Sequence, residues 1–119
     1  MTRFLALSFA CVAMVAAAMP ARADATAKQF LQLDSSDDGV TLAETKITAI
    51  EEGIRITNAR LPAGSRLYCQ PSTLVFTGSQ LADMVHRAVA ANDKLEDDPV
   101  SSVLLDTLEK TFPCTAPAH

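Results

Sequence analysis

"RLYCQPSTLVF", residues 66–76, decides how this chain is read. It carries the sole tyrosine, a cysteine and a proline, and it separates two segments of helical periodicity. Cys69 within it is a nucleophile, a metal ligand or half of a crosslink. The compartment and the available partners choose among these.

The compartment is read from the other end of the chain. The sequence of 119 residues opens "MTRFLALSFACVAMVAAAMPARADA". Arg3 is followed by an uncharged stretch from Phe4 to Ala21, and Ala21-Arg22-Ala23 is a small-x-small site. This is the pattern of a secretory signal peptide, with cleavage between Ala23 and Asp24. A membrane anchor would use the same stretch, but its alanine content, Pro20 and the cleavage site argue against that. A lipoprotein reading would use Cys11 in "SFAC", which lacks the leucine usual three residues earlier. The expected organisation is residues 1–23 as signal and residues 24–119 as one small domain in the periplasm, with no membrane association after cleavage.

Removal of Arg3 and Arg22 leaves eight basic residues against 14 acidic, a net charge of about −6. Nucleic acid requires a basic footprint and is not an expected partner. Cys11 departs with the signal, so Cys69 and Cys114 form an even pair in an oxidising compartment, which most often means a disulfide. Zinc would need more ligands than two cysteines and two histidines, one of them the terminal His119, supply. A cysteine nucleophile would need a histidine base, and the only internal candidate is His86.

The remaining pattern is helical. Thr26 to Leu33 reads as a short first helix. "DSSDDGVTLAE", residues 34–44, imitates a calcium loop through Asp34, Ser36, Asp38 and Gly39, but Thr45 stands where the bidentate glutamate belongs. Thr41 with Glu44 instead reads as a capping box. A second helix is expected over Leu42–Ala59, with Ala43, Ile47, Ile50, Ile54 and Leu61 inward and Glu44, Glu51, Glu52 and Arg55 outward. Ala49 and Gly53 form a small-residue strip suited to a close helix approach.

A third helix is expected from Thr77, capped with Gln80, and buries Leu81, Met84, Val85, Ala88 and Val89. His86 falls about 140° from Leu81, on the polar side. "ANDKLEDD" reads as an acidic linker. Asp98 is the expected cap of a fourth helix with Pro99 at its first position. That helix carries Val100, Val103, Leu104 and Leu108, a stripe widened by Leu105 and Phe112, which reads as a helix central in the bundle or, as the alternative, one partly committed to a partner chain. Antiparallel packing of the last two helices brings Cys69 beside Cys114. The expected fold is all-α, a small bundle of about four helices with one disulfide.

No nucleophile elbow, Walker loop, dinucleotide fingerprint or zincin motif is present. The chain has no tryptophan and one tyrosine, hence no aromatic platform. No catalytic, cofactor or metal constellation is expected, and the chain does not read as an enzyme.

"YCQP", two helices and a terminal "FPC" resemble the C-terminal half of the Rap/Tai immunity-protein family, small exported proteins of Gram-negative bacteria. The resemblance covers about Leu67 to Cys114, and "AIEEGIRI" looks like the family's glycine-bearing helix. The chain departs from the family in "AANDKLEDDP", where members often carry an aromatic and a His-Pro-Glu stretch. The resemblance implies an all-helical fold, a Cys69–Cys114 disulfide and often a homodimer. It also implies a partner, since characterised members block cell-wall amidase toxins delivered by type VI secretion. No toxin-contacting residue transfers. The alternative is a structural or acid-stress, chaperone-like periplasmic protein without a toxin partner.

Overall fold

The computed structural model describes residues 24–115. Four helices follow in order: α1 (Ala27–Asp34), α2 (Val40–Arg60), α3 (Gly78–Ala91) and α4 (Val100–Thr111). Short 3-10 turns at Ala63–Ser65 and Asp93–Asp97 interrupt the connections. Among the described residues there is no strand, and the fold is the all-α bundle with one disulfide that the periodicity predicts. The proposed signal, Ala23, Cys11 and the terminal His119 lie outside the described residues. No described helix is long and apolar enough to cross a membrane.

The core is made by the stripes of the four helices. Ala27 and Phe30 of α1, Ala43 and Ile47 of α2, Leu81 and Val85 of α3, and Val100, Val103, Leu104 and Leu108 of α4 are buried together with Tyr68. Leu105 and Phe112 are partly buried against this cluster, but each helix packs on the other three and α2 and α3 make the most extensive contact, so α4 is not set apart as the central helix that its wide stripe suggests. Full burial of side chains of this size stabilises the bundle by roughly 1.5–3 kcal/mol each.

Several local readings need correction. Thr26, read as the first residue of α1, is its N-cap: its hydroxyl accepts from Gln29 N–H, and the Gln29 side chain accepts from Thr26 N–H, a capping box. The expected box at Thr41 is absent. Helix α2 starts earlier, at Val40, with Gly39 before it and no side-chain cap. The Thr45 hydroxyl donates instead to Thr41 O, and that of Thr48 to Glu44 O. The Thr77–Gln80 box forms as predicted.

Asp98 does not cap α4 either. Its carbonyl accepts from Ala27 N–H (2.8 Å), while Val100 N–H donates to Ala25 O (2.9 Å). Ser101 N–H donates to the Asp24 carboxylate at 3.2 Å. The cap thus comes from the far end of the chain, where a carboxylate beside a helix N-terminus is favoured by the helix dipole. Nor is "ANDKLEDD" only a linker. Asn92 caps its turn, Leu95 packs partly into the core, and Glu96 approaches Lys28 at 3.5 Å.

The close helix approach also falls elsewhere than expected. A Cβ built on Gly53 meets nothing within 4 Å, so no element among the described residues packs there. A Cβ on Gly78 would lie 2.7 Å from Glu44 Cβ and 2.9 Å from Glu44 O. Gly78 lets the start of α3 run against α2, a contact that periodicity does not reveal because it depends on the crossing point of two helices.

Candidate functional site: the cleft beside the disulfide

Cys69 and Cys114 are joined, with Cα atoms 4.9 Å apart. Around this bond the segment 66–76 is pinned from three directions. Cys69 N–H donates to Phe112 O at 2.8 Å, at the end of α4. The Asn58 side chain of α2 donates to Tyr68 O and accepts from Leu67 N–H, both at 2.8 Å. Phe76 packs against Phe112 with ring centroids 5.9 Å apart. An irregular segment has no ladder to satisfy its backbone, and here a buried amide and a neighbouring helix end supply the partners.

The pinned segment and α2 enclose a cleft of about 530 Å³. Glu51, Glu52 and Arg55 line it from α2; Tyr68, Gln70 and Leu74 line it from the other side. Glu51 is buried, contrary to its expected outward place. At about 100° per residue it stands only about 40° from Ile47, inside the inward stripe, as does Asn58. Burial pushes the Glu51 carboxyl above its ordinary range, against the pull of Arg55. Arg55 Nε lies 3.8 Å from Glu51 Oε1, a loose contact. The Tyr68 phenol is likewise raised, first by burial and then by the Glu51 charge.

Tyr68 is 1% exposed, and its hydroxyl has no hydrogen-bond partner among the described residues. Gln70 donates through Nε2 to Leu74 O, while its buried Oε1 has no partner among them either. These two oxygens and Glu51 are what the sequence reading missed. A polar residue at the i+4 position of an apolar stripe was the available signal for Glu51 and Asn58. Nothing in the sequence marks Tyr68 and Gln70 as neighbours of α2. At the rim of the cleft the same segment is apolar and solvent-facing, with Val75 83% exposed and Leu74 exposed too, and Leu67 is exposed outside it.

The other residues weighed from sequence fall elsewhere. His86 of α3 is not simply solvated, since its Nε2 lies 2.8 Å from Asp34 Oδ2 at the end of α1. Asp34, the first residue of the apparent calcium loop, is thereby engaged, and Ser36 turns its hydroxyl back to Leu33 O. Among the described residues no three His, Cys, Asp or Glu side chains gather as a metal site would need. A larger groove of about 720 Å³ runs between α3 and α4, floored by Met84, Ala88 and Val103.

Comparison with family models, curated proteins and solved structures gave no match to this chain.

Proposed function

We propose that the protein is an exported, periplasmic binding protein that inhibits an effector enzyme, in the manner of the Rap/Tai immunity proteins that neutralise peptidoglycan amidase toxins. It acts by occupying a surface of its target and needs no chemistry of its own. The observation that carries the reading is Val75: a large apolar side chain 83% exposed on a segment held by a disulfide, a buried amide and a helix end. Apolar residues presented on a rigid support bind a partner without first losing conformational freedom. The acidic surface supports the same reading, because complementary charge speeds encounter with a basic protein. The "YCQP" and "FPC" motifs that suggest the kinship are the residues that build this support.

Co-expression of the chain in the periplasm with candidate cell-wall amidases tests the proposal. Protection from lysis and a complex stable to gel filtration are expected, and Val75→Asp should abolish both. An absence of binding to every amidase encoded beside the gene removes the role.

A second reading has its own observation. Leu42 and Ile56 are exposed and share one outer face of α2, spaced as two heptads. That face would serve a chaperone-like protein, or a second copy of the chain. Dye binding and client aggregation, followed from neutral to acid pH, separate this reading from the first.

A further inference from the structure

The cleft between α2 and the 66–76 segment is built for a specific chemistry. Three residues with side-chain oxygens line it: Glu51, together with Tyr68 and Gln70, whose hydroxyl and Oε1 are withdrawn from solvent. The last two are buried without partners among the described residues, and an unpaired buried polar atom costs roughly 1–3 kcal/mol. The Gln70 amide is oriented by its Nε2 bond to Leu74 O, which leaves the acceptor Oε1, not a donor, without a partner among the described residues. The Tyr68 hydroxyl can donate to a carboxylate while accepting from a third group. Glu51 has only the 3.8 Å approach of Arg55 Nε, and Arg55 itself is about half exposed. The groups facing the site are therefore Glu51, Glu52 and Arg55 from α2, with Arg66 and Tyr68 from the opposite wall. The two arginines are exposed residues, whereas Glu51 is buried.

A ligand that satisfies the Glu51 and Gln70 oxygens must present several N–H donors, and must tolerate a partly apolar wall formed by Pro71, Leu74 and Phe76. A guanidinium does both. Its planar fork pairs with a carboxylate in two parallel bonds, and it is more weakly hydrated than an ammonium. We propose that the cleft receives the guanidinium of an arginine side chain carried on the surface of a partner protein. The net charge of about −6 on residues 24–119 attracts such a partner. Leu74 and Val75, exposed at the rim, would meet apolar residues flanking that arginine. The proposal rests on the binding-protein reading above and specifies what its partner inserts.

The test uses the oxidised chain and three probes with blocked ends: N-acetyl-arginine amide, the uncharged N-acetyl-citrulline amide, and a pentapeptide with a central arginine between leucines. Titration is followed by amide NMR shifts and calorimetry. Saturable binding is expected with shifts centred on the Gln70 side-chain amide and on Tyr68, at least tenfold weaker for citrulline and several-fold tighter for the pentapeptide. Binding should strengthen as pH rises through the Glu51 titration, and Glu51→Gln should weaken it at least tenfold. Gln70→Leu is the second variant; it removes the amide acceptor while leaving Glu51 in place, and should weaken binding several-fold. No saturation, equal citrulline binding or shifts centred elsewhere would overturn the site. A pentapeptide no tighter than arginine amide would overturn the protein-borne source. Because no toxin enters this experiment, its failure leaves amidase protection standing, and loss of protection leaves the cleft chemistry intact.

Discussion

His86 Nε2 and Asp34 Oδ2, on residues 52 apart in sequence, meet at 2.8 Å and tie the end of α1 to the middle of α3. The aspartate side chain is 16% exposed and the histidine 43%, so the pair is partly screened. His86→Ala should cost about 1 kcal/mol, less than the roughly 1.5–3 kcal/mol of a fully buried charged hydrogen bond. A double-mutant cycle with Asp34→Ala, read by urea unfolding, should show coupling of that order. Additive effects would mean that the two side chains do not interact in solution.

Asn58 supports both the carbonyl of Tyr68 and the N–H of Leu67. Asn58→Ala strands a buried carbonyl and a partly buried N–H, and should cost about 2–4 kcal/mol. Asn58→Asp keeps the acceptor for Leu67 N–H but removes the donor to Tyr68 O, and should be no better tolerated. An unaltered melting temperature in either variant would show that the disulfide and the contacts to Phe112 hold the 66–76 segment without Asn58.

The Cys69–Cys114 bond spans a sequence separation of 45. A loop of that length stabilises by about 4 kcal/mol in the chain-entropy model. Paired Cys→Ala substitution, or reduction by dithiothreitol, should therefore remove a large share of a small domain's typical 5–15 kcal/mol. Denaturant unfolding with and without reductant measures it.

Two glycines should respond in opposite directions. Gly53 sits inside α2 with open space around it, so Gly53→Ala should stabilise the fold by about 1 kcal/mol through helix propensity. Gly78→Ala would drive a methyl group into Glu44 and should destabilise by about 1–3 kcal/mol. Thermal melts of both variants decide the matter. A destabilised Gly53→Ala variant that has also lost self-association would place a second copy against α2.

Glu51 predicts a pH dependence. Its folded carboxyl holds a proton to higher pH than its ordinary value near 4.5, chiefly because it is buried. Unfolding therefore releases that proton in the window above about 4.5, and stability falls as pH rises through it. Glu51→Gln should flatten the decline and match or exceed the parent at neutral pH. A less stable glutamine variant at pH 7 would show that attraction to Arg55 outweighs the burial cost.

The helices and their inner stripes were legible because each depends on a periodicity carried by neighbours in sequence. Leu81, Val85, Val103 and Leu108 are buried where that pattern puts them. The cysteines met because a hairpin of two helices admits few arrangements. Caps were read less well: Thr41 and Asp98 have capping side chains, yet Gly39 and Asp24 stand at those helix starts. The choice was made by tertiary contacts that local sequence does not contain. The cleft was least legible, since it depends on α2 meeting an irregular segment. There a tyrosine hydroxyl and a glutamine oxygen become neighbours of a glutamate more than a dozen residues away.

The stitch between residues 24–27 and 98–101 makes the first described residues structural partners of the last helix. On a nascent chain α1 can pack on α2 and α3 before α4 emerges, but this stitch forms only once residues 98–101 have left the ribosome, when nearly all of the bundle has been synthesised. Trimming the amino terminus by a single residue past Ala23 would delete the Asp24 carboxylate from Ser101, and frayed ends would then appear at the opposite end of the polypeptide. The residue at position 24 thereby becomes a determinant of shelf life for a helix more than 70 positions downstream.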